Sequence, residues 1–261
     1  MKKAFVFDLD GTLLTSDKKI TPRVIDNLQY LYDSSHEIIF ASARPPRFVE
    51  SLSSIFPFDT HLITYNGAMY KTNSGDVISF TIKQTLVEEI INFIDQNDPK
   101  AIVSSELNDS WISYKNYDFK GFYNQTIGPS IVPKSHLTSS HCTKILINNC
   151  LIENDIKKMF SSKCNIVVTD SGSLIQIMDL GVSKDNALKH LLDSMGIMLE
   201  NTTCFGDDYN DIGLFKRCGT SVAMGNSIPE LKDLATHITT SNDQEGVSRF
   251  IEDCVKKVPT L

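Results

Sequence analysis

The sequence contains no run of about 18 consecutive apolar residues, the length a helix needs to cross the hydrocarbon core of a bilayer, so no membrane span is expected. Its six cysteines (142, 150, 164, 204, 218 and 254) include no C-x-x-C pair and stand at no zinc-like spacing from histidine. They read instead as small apolar residues in a reducing compartment. A secretory signal is absent too, because the apolar stretch after Lys2-Lys3 is broken by Asp8 and Asp10. The chain is therefore expected in the cytoplasm. It also lacks excess basic charge: 25 Lys and Arg face 32 Asp and Glu, a net charge of -7. That balance argues against nucleic acid or an anionic membrane as partner. A small anionic substrate stays possible, since a bound cation inverts the field inside a site. No internal repeat, low-complexity tract or charge run stands out, and no protein partner is implied.

What is present is a 261-residue chain with 41% hydrophobic and 22% charged residues, enough for one large domain or two modest ones. Its first third alternates apolar strands with amphipathic helices. Residues 3–8 read as a strand, and Thr21-Pro22 as a helix start followed by Val24, Leu28 and Leu31 at helical spacing. Strands then follow at 37–42 and 61–65, with a helix after Pro45-Pro46 between them. Continuous apolar strands separated by helices predict a parallel sheet covered on both faces. From about residue 70 the texture changes to helical patterns (86–93 and 152–160) mixed with strand pairs. Residues 165–168 and 174–177 flank Asp170-Ser171-Gly172-Ser173 as a hairpin. The alternating pattern resumes near Ser183. The expected organisation is an α/β, Rossmann-like parallel-sheet core of residues 1–80 and 181–261, with an inserted α+β domain of residues 81–180 and a hinge at the two crossings.

Four polar segments fall at predicted strand ends. The first strand runs into Asp8-Leu9-Asp10-Gly11-Thr12. If it stops at Asp8, the turn can bring both carboxylates round one volume, a nucleophile beside a proton carrier, as phosphoryl or glycosyl transfer requires. An ordinary Asp/Gly-rich turn, or a metal-diphosphate site, explains the same residues. Ser42 ends the second strand, where a hydroxyl and free backbone amides can hold phosphate oxygens or simply cap a turn. Lys184 follows Ser183 at a helix start, where the helix dipole disfavours a cation; a surface lysine, or one paired with a carboxylate and phosphate, fits that position. Finally, Gly206-Asp207-Asp208-Tyr209-Asn210-Asp211 clusters oxygen donors suited to magnesium.

Together with the Asn66-Gly67-Ala68 turn and the segment Val222-Ala223-Met224-Gly225-Asn226, these motifs strongly resemble the haloacid dehalogenase superfamily of phosphotransferases, specifically its Cof-like phosphatases with a large inserted cap. The resemblance covers essentially the whole chain. It implies that Asp8 attacks phosphorus, while Asp10 protonates the leaving oxygen and then activates water. It implies Mg2+ held by Asp8, Asp207 and the backbone carbonyl of Asp10. Ser42, Lys184 and Asn210 would hold the phosphoryl group, with Asp211 orienting Lys184 or metal-bound water. Arg44, Asn66 and Gly67 are candidate substrate contacts, and Asp208 reads as a solvated helix-start residue. The chain departs from the family's usual Thr-Gly-Arg at Ser42-Ala43-Arg44, which keeps the hydroxyl but adds a Cβ where the family's glycine lets the backbone approach. The implied substrate is a small phosphorylated metabolite, such as a sugar phosphate or pyridoxal phosphate, selected by the cap. Trp111, Tyr114 and Tyr117 of the insert read as its core or as a pocket wall. The alternatives are a phosphomutase or phosphotransferase on the same scaffold, and a non-catalytic phospholigand-binding protein.

Overall fold

The structure is a computed structural model and describes residues 2–117, 128–169 and 172–256. The chain divides into two compact units, Met1–Ile78 with Ser183–Leu261, and Ser79–Val182. The first segment of unit 1 opens with β1 (Ala4–Phe7) and α1 (Pro22–Asp33). Helix α1 starts where Thr21 accepts the Val24 N–H on its side chain and Pro22 takes the first turn, where a missing N–H costs nothing. Then come β2 (Glu37–Ala41), α2 (Pro46–Ser53), β3 (His61–Thr64), β4 (Met69–Lys71) and β5 (Val77–Ser79).

Unit 2 comprises α3 (Gln84–Asn97), β6 (Ile102–Leu107), β7 (Ser110–Ser113), β8 (Ser130–Ile131), α4 (Lys134–Thr138), β9 (Lys144–Asn148), α5 (Glu153–Phe160), β10 (Cys164–Thr169) and β11 (Leu174–Asp179). Its strands form one sheet in the order β10-β11-β9-β6-β7-β8, antiparallel except for the last pair. One face carries Val103, Ile145, Ile147, Ile175 and Ile177 into a core with Ile90, Ile94, Ile156 and Phe160 of the helices. Mixed pairing with helices on a sheet face is the α+β texture anticipated for this segment. β10 and β11 pair antiparallel as the expected hairpin, although Asp170 and Ser171 of its turn lie outside the described residues. Of the aromatics, Tyr114 packs on this core, while Trp111 and Tyr117 group with Ile102 in a separate small cluster.

The chain re-enters unit 1 at α6 (Lys184–Met195), followed by β12 (Thr202–Gly206), α7 (Ile212–Arg217), β13 (Thr220–Ala223), α8 (Pro229–Leu234), β14 (His237–Ile238) and α9 (Gly246–Phe250). The unit's sheet order is β14-β13-β12-β1-β2-β3-β4-β5. All pairings from β14 to β3 are parallel, and β4 turns back antiparallel on β3. Phe5, Phe7, Ile38, Phe40 and Phe205 project to one face, into a core with Leu28, Val49 and Phe250. The alternate residues Val6, Ile39 and Cys204 are equally buried, so the sheet is covered on both faces. From β1 the chain moves outward one way through β2 and β3, then returns to the other side of β1 with β12. The order of strands therefore reverses between β1 and β12, and open α/β sheets bind their ligands at the carboxyl ends of strands flanking such a switch. Three cysteines are buried (142, 164 and 204), whereas Cys254 is exposed and Cys150 and Cys218 are half-buried. Among the described residues no helix is long and apolar enough to cross a membrane.

Candidate active site

The four polar segments singled out from the sequence converge at that switch point. Asp8 follows β1 directly and is buried, its N–H donating to the Phe205 carbonyl of β12 at 3.1 Å. Lys184 is 1% exposed, which removes the surface-lysine reading. Its Nζ donates to Asp8 Oδ1 at 2.5 Å and to Asp211 Oδ1 at 2.8 Å. Ser183 caps α6 by accepting the Asn186 N–H, which fixes where the lysine starts the helix. The dipole there opposes a cation, and two carboxylates outweigh it. Asp211 is fully buried and turns its other oxygen back to accept the N–H groups of Asp207 (3.0 Å) and Asp208 (3.3 Å). It therefore orients Lys184 and also shapes the loop that carries Asp207. Asp208 is exposed and caps this turn, as expected of a solvated helix-start residue.

Asp207 is held by a residue the sequence argument did not single out. Thr12 Oγ1 donates to Asp207 Oδ1 at 3.0 Å, and Asn226 Nδ2 donates to the Gly11 carbonyl at 2.8 Å, tying the two loops together. Gly11 stands at φ +82°, and a Cβ there would fall 2.1 Å from Asp207 Oδ2, so the approach of the loops depends on glycine. Thr12 and Asn226 were visible only as members of motifs, because each acts through a side chain far along the chain.

Ser42 Oγ accepts the Arg44 N–H at 3.2 Å, which leaves its own proton free to donate to an oxyanion. The Ser42 carbonyl accepts the Asn66 N–H and the Arg44 carbonyl accepts the Tyr65 N–H, both at 3.0 Å. The Tyr65-Asn66-Gly67 turn is thereby stitched to the serine loop. Its three residues have positive φ, a strained arrangement for Tyr65 and Asn66. A Cβ on Gly67 would meet the Ser183 carbonyl at 2.2 Å, so the turn packs against the start of α6. Asn66 Oδ1 accepts from Asn210 Nδ2 at 3.1 Å, so these two candidates touch each other. Arg44 has its guanidinium on Asp10 in this structure, with Nε and Nη2 each 2.5 Å from a carboxylate oxygen. Lys18 Nζ adds a third donor at 2.7 Å.

The electrostatics of the cluster are those of a site short of positive charge. Asp8, Asp207 and Asp211 offer oxygens within 4.8 Å of one another, and one lysine stands among them. Burial pushes the Asp8 carboxyl well above its ordinary range, and Lys184 only partly offsets this. Burial and the nearby Asp211 likewise raise Asp207 to about 6. Burial alone would lower Lys184, but Asp211 and Asp8 together raise it, so it stays charged. Burial would raise Asp10 too, but the hydrogen bonds from Arg44 and Lys18 prevail and its carboxyl is lowered. With Asp211 committed to Lys184 and two backbone N–H groups, Asp8 and Asp207 remain as hard oxygen donors. They fit a divalent cation such as the carboxylate-plus-water sites of small hard metals accept.

A family model described as haloacid dehalogenase-like hydrolase matches residues 5–251. The 5-amino-6-(5-phospho-D-ribitylamino)uracil phosphatase YitU of Bacillus subtilis is 24% identical, over 94% of this chain and 95% of its own length. An HMP-PP phosphatase of Klebsiella pneumoniae is 25% identical, over 96% of this chain and 95% of its own. Among solved structures, TM0651 from Thermotoga maritima superposes with a TM-score of 0.89 at 25% identity, covering 100% of this chain and 99% of that one.

Proposed function

The chain belongs to the haloacid dehalogenase-like hydrolase family and is a phosphatase of its Cof-like type; from that premise we propose that it hydrolyses small phosphorylated metabolites with Mg2+, through an aspartyl phosphate on Asp8. The observation that carries the reading is Lys184, buried between Asp8 and Asp211 with Asp207 alongside. An anionic nucleophile meets an anionic phosphate only where cations neutralise both. Lys184 supplies one positive charge and takes Asp8 Oδ1, leaving Oδ2 to attack phosphorus. Asp8, Asp207 and the Asp10 carbonyl are the groups that would hold Mg2+, which supplies charge neutralisation when bound.

Ser42 donates its free hydroxyl proton to a phosphoryl oxygen, and Lys184 donates a second hydrogen bond. Asn210, whose Nδ2 donates to Asn66 Oδ1, makes a third contact. Asp10, whose carboxyl Arg44 and Lys18 hold lowered here, takes up a proton before it gives one to the leaving oxygen, and as a carboxylate again takes one from the water that hydrolyses the acyl phosphate. Unit 2 is the cap that selects the leaving group, and relatives named for 5-amino-6-(5-phospho-D-ribitylamino)uracil and for HMP-PP support a small phosphorylated metabolite as substrate. Phosphate release from a panel of sugar, nucleotide and cofactor monophosphates, with Mg2+ and with chelator, tests the reading. Mg2+-dependent release that Asp8→Asn abolishes is expected. Release unaffected by chelator removes the metal, and wild-type-like turnover by Asp8→Asn removes the nucleophile.

A further inference from the structure

We propose that Asn66 is the positioning residue for Asn210: its amide oxygen holds the Asn210 side chain in the sense that offers an N–H to the phosphoryl group. The inference rests on the phosphatase reading above, because it concerns how that site grips phosphate. Asn210 Nδ2 donates to Asn66 Oδ1 at 3.1 Å. An NH2 group carries two protons, so the one taken by Asn66 leaves a second to donate to an oxyanion. Asn210 is exposed in the tight turn Tyr209–Asp211, where packing fixes neither its rotamer nor the sense of its amide. Reversed, the same side chain presents a carbonyl oxygen, which an anion repels. An acceptor at the Asn66 position selects the donating sense.

Asn66 can do this because its own place is fixed. It is 9% exposed, and its N–H donates to the Ser42 carbonyl at 3.0 Å. Tyr65 before it donates its N–H to the Arg44 carbonyl and accepts from Arg47 Nη1 on its hydroxyl at 3.4 Å. Gly67 after it packs on the carbonyl of Ser183, the residue that precedes Lys184. The turn thus touches the serine loop, the start of α6 and the loop that carries Asn210. Its φ angles of +52°, +58° and +100° are unfavourable for tyrosine and tolerable for asparagine, so the surrounding contacts hold the backbone in a conformation it would not otherwise keep. Glycine would meet the backbone requirement at position 66 without strain. What asparagine adds there is the amide.

Replacement by glycine separates the side chain from the backbone. The probe is inorganic phosphate, as a competitive inhibitor of p-nitrophenyl phosphate hydrolysis by the full chain with Mg2+. We expect Asn66→Gly to raise Ki for phosphate at least about fivefold, the scale of one hydrogen bond, and Asn210→Ala to raise it at least as far. In the Asn210→Ala background, Asn66→Gly should change Ki less than about twofold, because the group it positions is gone. Glycine keeps the left-handed backbone and Asn210 is exposed, so neither change asks the fold to rearrange. A glycine variant with the wild-type Ki overturns the inference, since asparagine then serves the backbone alone. So does an undiminished effect in the Asn210→Ala background, which assigns Asn66 to the phosphate itself or to the fold. Both leave the phosphatase reading standing, whereas a wild-type protein that hydrolyses no phosphate monoester overturns that reading and this inference with it.

Discussion

Lys184 shows how a single side chain earns its place against local preference. It begins a helix, where the dipole repels a cation, and it is buried, where an ammonium loses its hydration. Only Asp8 and Asp211 make that position tenable. Lys184→Ala should therefore reduce turnover at least about 100-fold, the scale of losing a preorganised charge partner, with the fold checked by circular dichroism. A loss below about tenfold would assign the attraction between nucleophile and phosphate to some other group. At this scale the sequence was informative where a residue type is chemically unusual for its position, as with Asp8, Lys184 and Asp207. It was silent on Thr12 and Asn226, since a threonine or asparagine that holds another side chain has no local signature. Arg44 lies between: its presence near the site was legible, but that it grips Asp10 depends on a rotamer no spacing encodes.

Elements that bury long apolar runs were legible, and short edge elements were not. β1, β2 and β3 carry apolar runs and fall within a residue or so of their expected bounds. β4, β5 and β14 have two or three residues each, too few for any periodicity to register. A single tight turn at Tyr209–Asp211 precedes α7, because Asp208 and Asp211 form a reciprocal cap. Between neighbouring strands, Glu37 at the start of β2 meets His61 of β3 at 3.0 Å. The Asn73 N–H donates to His61 Nδ1, so the proton sits on Nε2 and points at Glu37. This bond, with Lys2 nearby, lowers Glu37 to about 2. A carboxylate whose folded pKa is depressed adds stability above its unfolded value of about 4.3 and loses it as pH falls toward the folded one. Glu37→Gln should thus cost about 1–2 kcal/mol in urea unfolding at pH 7, with the gap to wild type closing between about pH 4 and pH 2. A gap that stays constant across that range would mean the carboxylate charge contributes nothing.

At the scale of the molecule, each unit has its own hydrophobic core, one around Phe5, Phe40 and Phe205 and one around Ile90, Ile145 and Ile177. The units divide after Ile78 and after Val182. All the groups proposed to bind phosphate and metal lie in unit 1. Calorimetric unfolding should accordingly show two transitions rather than one. Mg2+ with orthovanadate at about 100 times its Kd should raise one of them by about 5–10 °C while the other stays put. Hydrogen exchange should place the added protection in residues 2–78 and 183–256. A single transition, or equal shifts in both, would show that the units do not unfold separately.

The reversal of strand order between β1 and β12 also sets a timetable for synthesis. Lys184 and Asp8 are 176 residues apart in the chain, and Thr12 and Asp207 are 195. β1 waits for its β12 partner while the whole of residues 8–201 is made. Meanwhile the amides and carbonyls on that side of Ala4–Phe7, with two phenylalanines among them, form an unpaired apolar edge. The groups proposed to hold phosphate and metal come together only after residues 184–211 are made, so a product cut short before them carries Asp8 but lacks Lys184, Asp207 and Asp211.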